Sequence, residues 1–159
     1  MADVFADGNT RVAFVPAIAS QVAPTTTELN AGTLLQSVIT ADGLMGFEAT
    51  TAEVDTTSLA STFNTKTIGR DDFSGTGLRL KKQSATDTVF NLLTRGTSGY
   101  VVIRRGVAET TAWASTQLVE VYPVTCGQTK YLPPEANSVQ KYEVPTPITA
   151  APSLRAVVA

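Results

Sequence analysis

Few residues of this chain have the means to do chemistry. Its 159 residues include no histidine and one cysteine, Cys126. Without histidine there is no imidazole base, no imidazole metal ligand and no histidine-dependent triad. Cys126 has nothing to activate it and can form neither an intrachain disulfide nor a cysteine metal cluster, so it reads as a small, partly buried thiol. Ser84, Ser98 and Ser115 stand in no G-x-S-x-G elbow. Two acidic pairs remain. Glu53 and Asp55 lie two apart on an expected strand and share a face. Paired carboxylates can do acid–base work, but no base, ligand set or pocket signal accompanies them, and a solvated acidic face is the simpler reading. Asp71-Asp72 offers oxygens to a divalent ion, yet the spacing fits no EF-hand loop. Solvated loop charges, or an inter-subunit ion pair with Arg70, account for it better. The basic pairs Lys81-Lys82 and Arg104-Arg105 fall on strands, where neighbours point to opposite faces, and no aromatic residues interleave them as in a nucleic-acid reader. Trp113 is either a binding platform, for sugar for example, or a packing residue, and packing is favoured.

Composition narrows the class further. Lys and Arg number 12, Asp and Glu 14, and the net charge is −2. Such a balance does not draw in a phosphate backbone by counterion release. Charged residues make up only 16% of the chain, well below the usual quarter, and Thr, Ser and Ala replace them. A Thr-rich, charge-poor chain suits pleated, half-buried surfaces and a molecule whose surface is largely covered by other subunits. The length fits one domain with an ordinary core. No positively charged region precedes an apolar one, and no apolar run approaches the roughly 18 residues of a membrane helix. The expectation is a soluble protein without a signal peptide.

The elements that position these residues centre on residues 47–82. A strand is expected over Phe47–Thr57 and another over Thr76–Lys82, joined by a long polar loop, residues 58–76, without a period of its own. Hairpin loops are ordinarily two to five residues, so a loop of this length is expected to reach a neighbouring copy. Residues 1–15 read as an N-terminal arm, and Pro16 puts the apolar run 11–18 at an edge or a strand end. Thr27 is expected to cap one short helical turn, ended by Gly32. Thr33–Thr40 reads as a strand and Ala41-Asp42-Gly43 as a turn. Leu78 and Leu80 point one way, Arg79 and Lys81 the other. One helix is expected over residues 84–95, with Ser84 as N-cap, an apolar stripe of Val89, Leu92 and Leu93, and Gly96 as its stop. Strands follow at Gly99–Arg105, Thr116–Val124 (Pro123 marking an end or an edge) and Val139–Val144. Residues 145–159 read as an extended C-terminal tail docking on a neighbour. The predicted architecture is mainly β: an antiparallel β-sandwich or partial barrel with one flanking helix, a single domain over 1–159. Arm, loop and tail on one domain suit a homo-oligomer whose subunits clasp one another.

The runs APTTTELNAGTLLQSVITADGL (23–44) and SLASTFNTKTIGRDDFSGTGLRLKKQ (58–83), with the following helix and the YVVIRR and TQLVEVYPV strands, resemble the major tail proteins, or tail tube proteins, of long-tailed bacteriophages, especially of actinobacterial hosts. The similarity covers about residues 20–145. It implies a structural virion protein made in the bacterial cytoplasm, with no enzyme activity and no cofactor. Hexameric rings would stack into a tube whose continuous barrel lines a lumen. DNA would pass through without specific binding, kept from sticking by like charge. The implied partners are other copies of the chain and further tail proteins (tape measure, terminator, distal tail), with no membrane. The resemblance makes Glu48, Glu53 and Asp55 the candidate lumen residues, although Glu48 needs a bulge or twist to share their face. It makes Phe63, Lys66, Arg70, Asp71, Asp72 and Phe73 the candidate inter-subunit residues. Two other classes stay open. One is a non-catalytic receptor- or carbohydrate-binding module using Trp113, Tyr100 and Tyr122. The other is a virion connector, baseplate or decoration protein whose ring does not stack.

Overall fold

The computed structural model describes all of residues 1–159. In chain order the elements are β1 (Thr10–Val15), α1 (Thr26–Asn30), β2 (Thr33–Leu34), β3 (Ile39–Met45), β4 (Thr50–Asp55), β5 (Lys66–Asp72), β6 (Gly77–Lys81), α2 (Thr88–Leu92), β7 (Ser98–Arg105), β8 (Leu118–Thr125), β9 (Lys130–Tyr131), β10 (Lys141–Pro145) and β11 (Ser153–Val157). The protein is mainly β, with antiparallel sheets and no closed barrel. One sheet has the order β11-β8-β7-β1-β2, a second the order β3-β6-β10-β9, and β4-β5 stands as a two-stranded sheet.

Alternation drives the layering. In β7, Val101 and Ile103 face inward to the second sheet, while Val102 faces the other way. Val12 and Phe14 of β1, Tyr122 and Val124 of β8, Leu78 and Leu80 of β6, and Tyr142 and Val144 of β10 complete the core between the two large sheets. The opposite face of the five-stranded sheet carries a second core. There Ala13, Val15, Val102, Val119 and Val121 are covered by Leu29 of α1, by Trp113 and by Val158. Both faces of this sheet are therefore dry, which explains why its strands read as near-continuous apolar runs. The paired alternations expected for 78–81 and 104–105 are present: Leu78, Leu80 and Arg104 are buried, while Arg79 and Lys81 are partly covered and Arg105 is exposed.

Several boundaries differ from the sequence reading. Residues 10–15 are no arm, because β1 lies inside the sheet, pairing with β7 along its full length. Pro16 follows the strand rather than sitting in it, so it sets an end and not an edge. The N-cap of α1 is Thr25, whose hydroxyl accepts from the Glu28 N–H while the Glu28 carboxylate accepts from the Thr25 N–H, a capping box that outcompetes Thr27. The expected strand 33–40 splits into β2 and β3. The expected turn at Ala41–Gly43 is an irregularity within β3, where the register against β6 shifts.

The expected helix 84–95 shrinks to α2, because Ala85 has φ +60° and Asp87 takes the N-cap from Ser84. Asp87 accepts from the Phe90 N–H at 3.0 Å and from the Gln83 N–H at 2.9 Å. A second short helix, α1, joins it. Pro123 lies inside β8, opposite Tyr100 and beyond Val121, the last residue β11 pairs with; residues 147–149 run alongside it there, with Ile148 bridging Val124 and the Thr149 N–H donating to the Pro123 carbonyl, so Pro123 marks neither an end nor an open edge. The tail is likewise no free extension. Residues 153–157 form β11 on the edge of their own sheet.

Candidate assembly surfaces

The predicted loop 58–76 holds a strand. Lys66–Asp72 is β5, which pairs with β4 to make a hairpin with a ten-residue tip, residues 56–65. Its register places Asp55 opposite Lys66, Glu53 opposite Ile68, Thr51 opposite Asp71 and Thr50 opposite Asp72, with a bulge between Thr51 and Glu53. Every residue of β4 is exposed, and in β5 only Gly69 is partly covered. The hairpin therefore stands off the sandwich, and the outer edge of each strand has no partner.

Its base is fixed firmly. Phe47 enters just before β4 and Phe73 leaves just after β5, and both rings meet Tyr122 edge-on, at 4.9 and 5.8 Å between centroids. Tyr122 is fully buried, and burial pushes its phenol up to about 12. Gly46 has φ +71°, and a Cβ there would lie 2.6 Å from the backbone of Gly75. Only glycine permits this pinch between the two chain segments. Thr76 closes it by donating its hydroxyl to the Gly46 carbonyl at 3.2 Å.

The tip owes its order to short polar side chains. Thr56 donates its N–H to the Thr65 carbonyl at 2.9 Å, the Thr65 N–H is received by the Thr57 hydroxyl at 2.9 Å, and Asp55 accepts from the Thr57 N–H at 2.8 Å. The Thr57 hydroxyl, then its N–H, hold the Asp55 carboxyl below the usual carboxylate range. From this tip Leu59 and Phe63 project into solvent, 105% and 75% exposed, with no apolar cover in their own chain.

The sequence candidates are now placed. Glu53 and Asp55 share one face of the hairpin with Asp71, Lys66 and Ile68, and Lys66 donates to Glu53. Glu48 sits outside the strand, in the segment between β3 and β4, so the structure does not bring it onto that face through regular alternation. Arg70 lies at the bulge, and Asp71 accepts from the Thr51 hydroxyl at 2.7 Å rather than pairing with it. Phe73 is partly buried: its ring meets Tyr122 of its own chain and also lines the groove beside the hairpin base. Sequence reasoning missed Leu59 and Ile68, exposed apolar residues hidden among threonines. The flanking Gly46 and Gly75 were the available signal for a pinched hairpin.

Beside the hairpin base is an open groove of about 380 Å³ lined by Ala49, Phe73, Ile148, Pro152 and Leu154, with Asp71 and Asp72 at its rim. Asp72 has no ion-pair partner in the chain. On the outer face of the four-stranded sheet, Arg79 bridges Glu143 and Asp42 at 2.8 and 2.7 Å, and Lys130 reaches Glu143 at 3.5 Å. The Arg79 hydrogen bond is the chief reason the Glu143 carboxyl lies below its ordinary value.

Of the three binding-module residues, Tyr100 is partly exposed, while the other two are not available as a platform. Tyr122 and Trp113 are 1% and 5% exposed. Arg11 and Arg104 stack on Trp113 at 5.0 and 5.2 Å. They donate to the carbonyls of Ala108, Glu109, Thr111 and Ala112, pinning the 106–117 loop onto the sheet. Burial, and then the neighbouring Arg11 charge, lowers the Arg104 pKa. Cys126 is buried, its thiol pushed up to about 11. No helix is long and apolar enough to cross a membrane.

Comparison with known proteins bears on this arrangement. No curated protein sequence matches the chain. Among solved structures, a chain of the cryo-EM structure of the anti-feeding prophage baseplate, 6-fold symmetrised, superposes with a TM-score of 0.58 at 11% identity, covering 96% of each chain. Identity that low speaks for a shared fold alone. A family model described as phage tail tube protein matches residues 1–159, the full length of the chain. The chain therefore belongs to the phage tail tube protein family and is a structural component of a virion tail.

Proposed function

We propose that this protein builds the tube itself: copies close into hexameric rings, rings stack, and DNA leaves the capsid through the lumen. The observation that carries this reading is the free-standing β4–β5 hairpin. An isolated two-stranded hairpin is marginal in water, and two unpaired outer edges on exposed strands are a template for more strands. If β4 of one copy pairs with β5 of the next, the contact is heterologous and closes into a ring with no edge left over. Glu53 and Asp55 then face the lumen, with Glu48 close to its rim, and their charge keeps the DNA phosphates from adhering. The reading assigns no catalytic step and no cofactor. It extends the resemblance to a long-tailed phage of an actinobacterial host. The partners are other copies of the chain, the tape measure protein in the lumen, and the terminator and distal tail proteins at the ends.

Negative-stain electron microscopy of the purified protein across a concentration series tests it. Rings or tubes with a central hole are expected. A protein that stays monomeric at every concentration, with and without tail initiator proteins, contradicts the reading. The lumen assignment has its own test. Glu53→Lys with Asp55→Lys should permit assembly and make tubes retain DNA in a co-sedimentation assay; wild-type DNA retention removes those carboxylates from the lumen.

A further inference from the structure

Arg11 and Arg104 are the only basic residues buried in the molecule, 9% and 1% exposed. They are register partners on β1 and β7, so their side chains leave the sheet next to each other. Their guanidinium carbons lie 5.0 and 5.2 Å from the ring centroid of Trp113. A guanidinium does not give up its proton in a protein, so two positive charges stay in this dry layer. Neither has a carboxylate within ion-pair distance. Glu109 comes near, but it offers Arg11 its carbonyl, and its carboxylate accepts from the Gln36 amide at 3.2 Å.

The 106–117 loop answers the two charges with neutral acceptors alone. These are the carbonyls of Ala108, Glu109, Thr111 and Ala112 and the side-chain oxygen of Gln117. Three donors are left over. The Arg11 Nε, the Arg104 Nε and the Trp113 Nε1 are all buried, and none has a partner. Buried polar groups are seldom left so, and here three of them gather around one indole. A water molecule has two lone pairs, too few for three donors, and it brings no charge. A small anion accepts from all three and offsets the charge that the carbonyls cannot neutralise. None of the larger surface grooves is lined by Arg11, Arg104 or Trp113, so the site suits a single-atom anion better than a phosphate or a carboxylate.

We propose that Arg11, Arg104 and Trp113 bind a halide ion of the size of chloride, which helps to tie the 106–117 loop to the five-stranded sheet. The loop's anchorage then depends on the anion in the medium as well as on its own hydrogen bonds. The site lies within one subunit and stands or falls independently of the tube reading.

Thermal unfolding of the purified protein tests this while chloride replaces gluconate at constant ionic strength. Above the dissociation constant, each tenfold rise in chloride should raise the midpoint by about 3–5 °C. Identical midpoints across the series overturn the proposal. Trp113 is the only tryptophan and reports on the ion directly. Iodide seated beside it should quench its emission along a saturating curve, and excess chloride should restore that emission. Caesium, a cationic quencher, should have no such effect on an indole that is 5% exposed. Emission that ignores iodide overturns the proposal, and so does iodide quenching that chloride does not reverse. Arg11→Met keeps most of the side chain's length and removes one charge. Folded by circular dichroism, this variant should lose the iodide curve; an unchanged curve places the ion elsewhere and overturns the assignment. If Arg11→Met does not fold, the wild-type chloride and iodide series decide the matter alone.

Discussion

Asp87 shows how much a single side chain settles here. It is 3% exposed, and burial by itself raises its pKa. The Gln83 and Phe90 N–H groups and the Lys82 ammonium at 3.1 Å outweigh that and hold the carboxyl below its ordinary value. A depressed carboxylate stabilises the fold above its unfolded pKa of about 3.9, and that contribution disappears as the pH falls through the folded value. Asp87→Ala should therefore cost about 1–3 kcal/mol at pH 7 and much less at pH 2, measured by urea unfolding at both. Arg104 is the other such residue. Arg104→Lys cannot reproduce its fork of contacts to Ala108, Thr111, Ala112 and Gln117. Amide exchange in the 106–117 loop should accelerate at least tenfold in that variant while strands β1 and β7 keep their protection.

At the scale of the element, the hairpin and the sandwich are nearly independent. Replacing residues 51–71 by a short Gly-containing turn should shift the thermal midpoint by only a few degrees, because substitutions at exposed positions cost little, yet abolish rings in negative stain. Gly46→Ala should do the reverse of that pattern. It forces a Cβ into the Gly75 backbone at a positive φ and should destabilise the subunit by about 1–3 kcal/mol, read from the urea midpoint. The same division explains what could be read in the sequence. Leu78–Lys81 was legible because one face of that strand is core and the other is not. KTIGRDD at 66–72 was not, because β5 buries nothing, and pairing with β4 alone makes it a strand. The helix was drawn too long because Val89 and Leu93 give a helical stripe, whereas one turn suffices to bury both. The tail's strand was hidden by its prolines at 145, 147 and 152, all of which precede the paired SLRAV residues.

For the whole molecule, absences in the sequence excluded more than any motif proved. The lack of histidine removed most catalytic readings, and the scarcity of charge pointed to surface hidden in an assembly. The candidate site was only partly legible. Spacing put Glu53 and Asp55 on one strand face, as their register has it, but the groove joins residues 49, 71–73 and 148–154, which lie far apart along the chain. No local pattern marks such a surface. Neither does any pattern mark Tyr122 as the point where both ends of the hairpin meet the core, since it reads as one more inward residue of β8.

The lone tryptophan has a practical consequence. Trp113 sits beneath the 106–117 loop, between two guanidinium groups, on the face of the five-stranded sheet opposite the hairpin's aromatic base. Its emission is a built-in optical gauge of whether each subunit is folded. Since the proposed contacts between copies leave that face untouched, the spectrum should not change as tubes grow. Light scattering and tryptophan emission recorded on one sample would then follow polymerisation and unfolding as two separate signals, with no added dye.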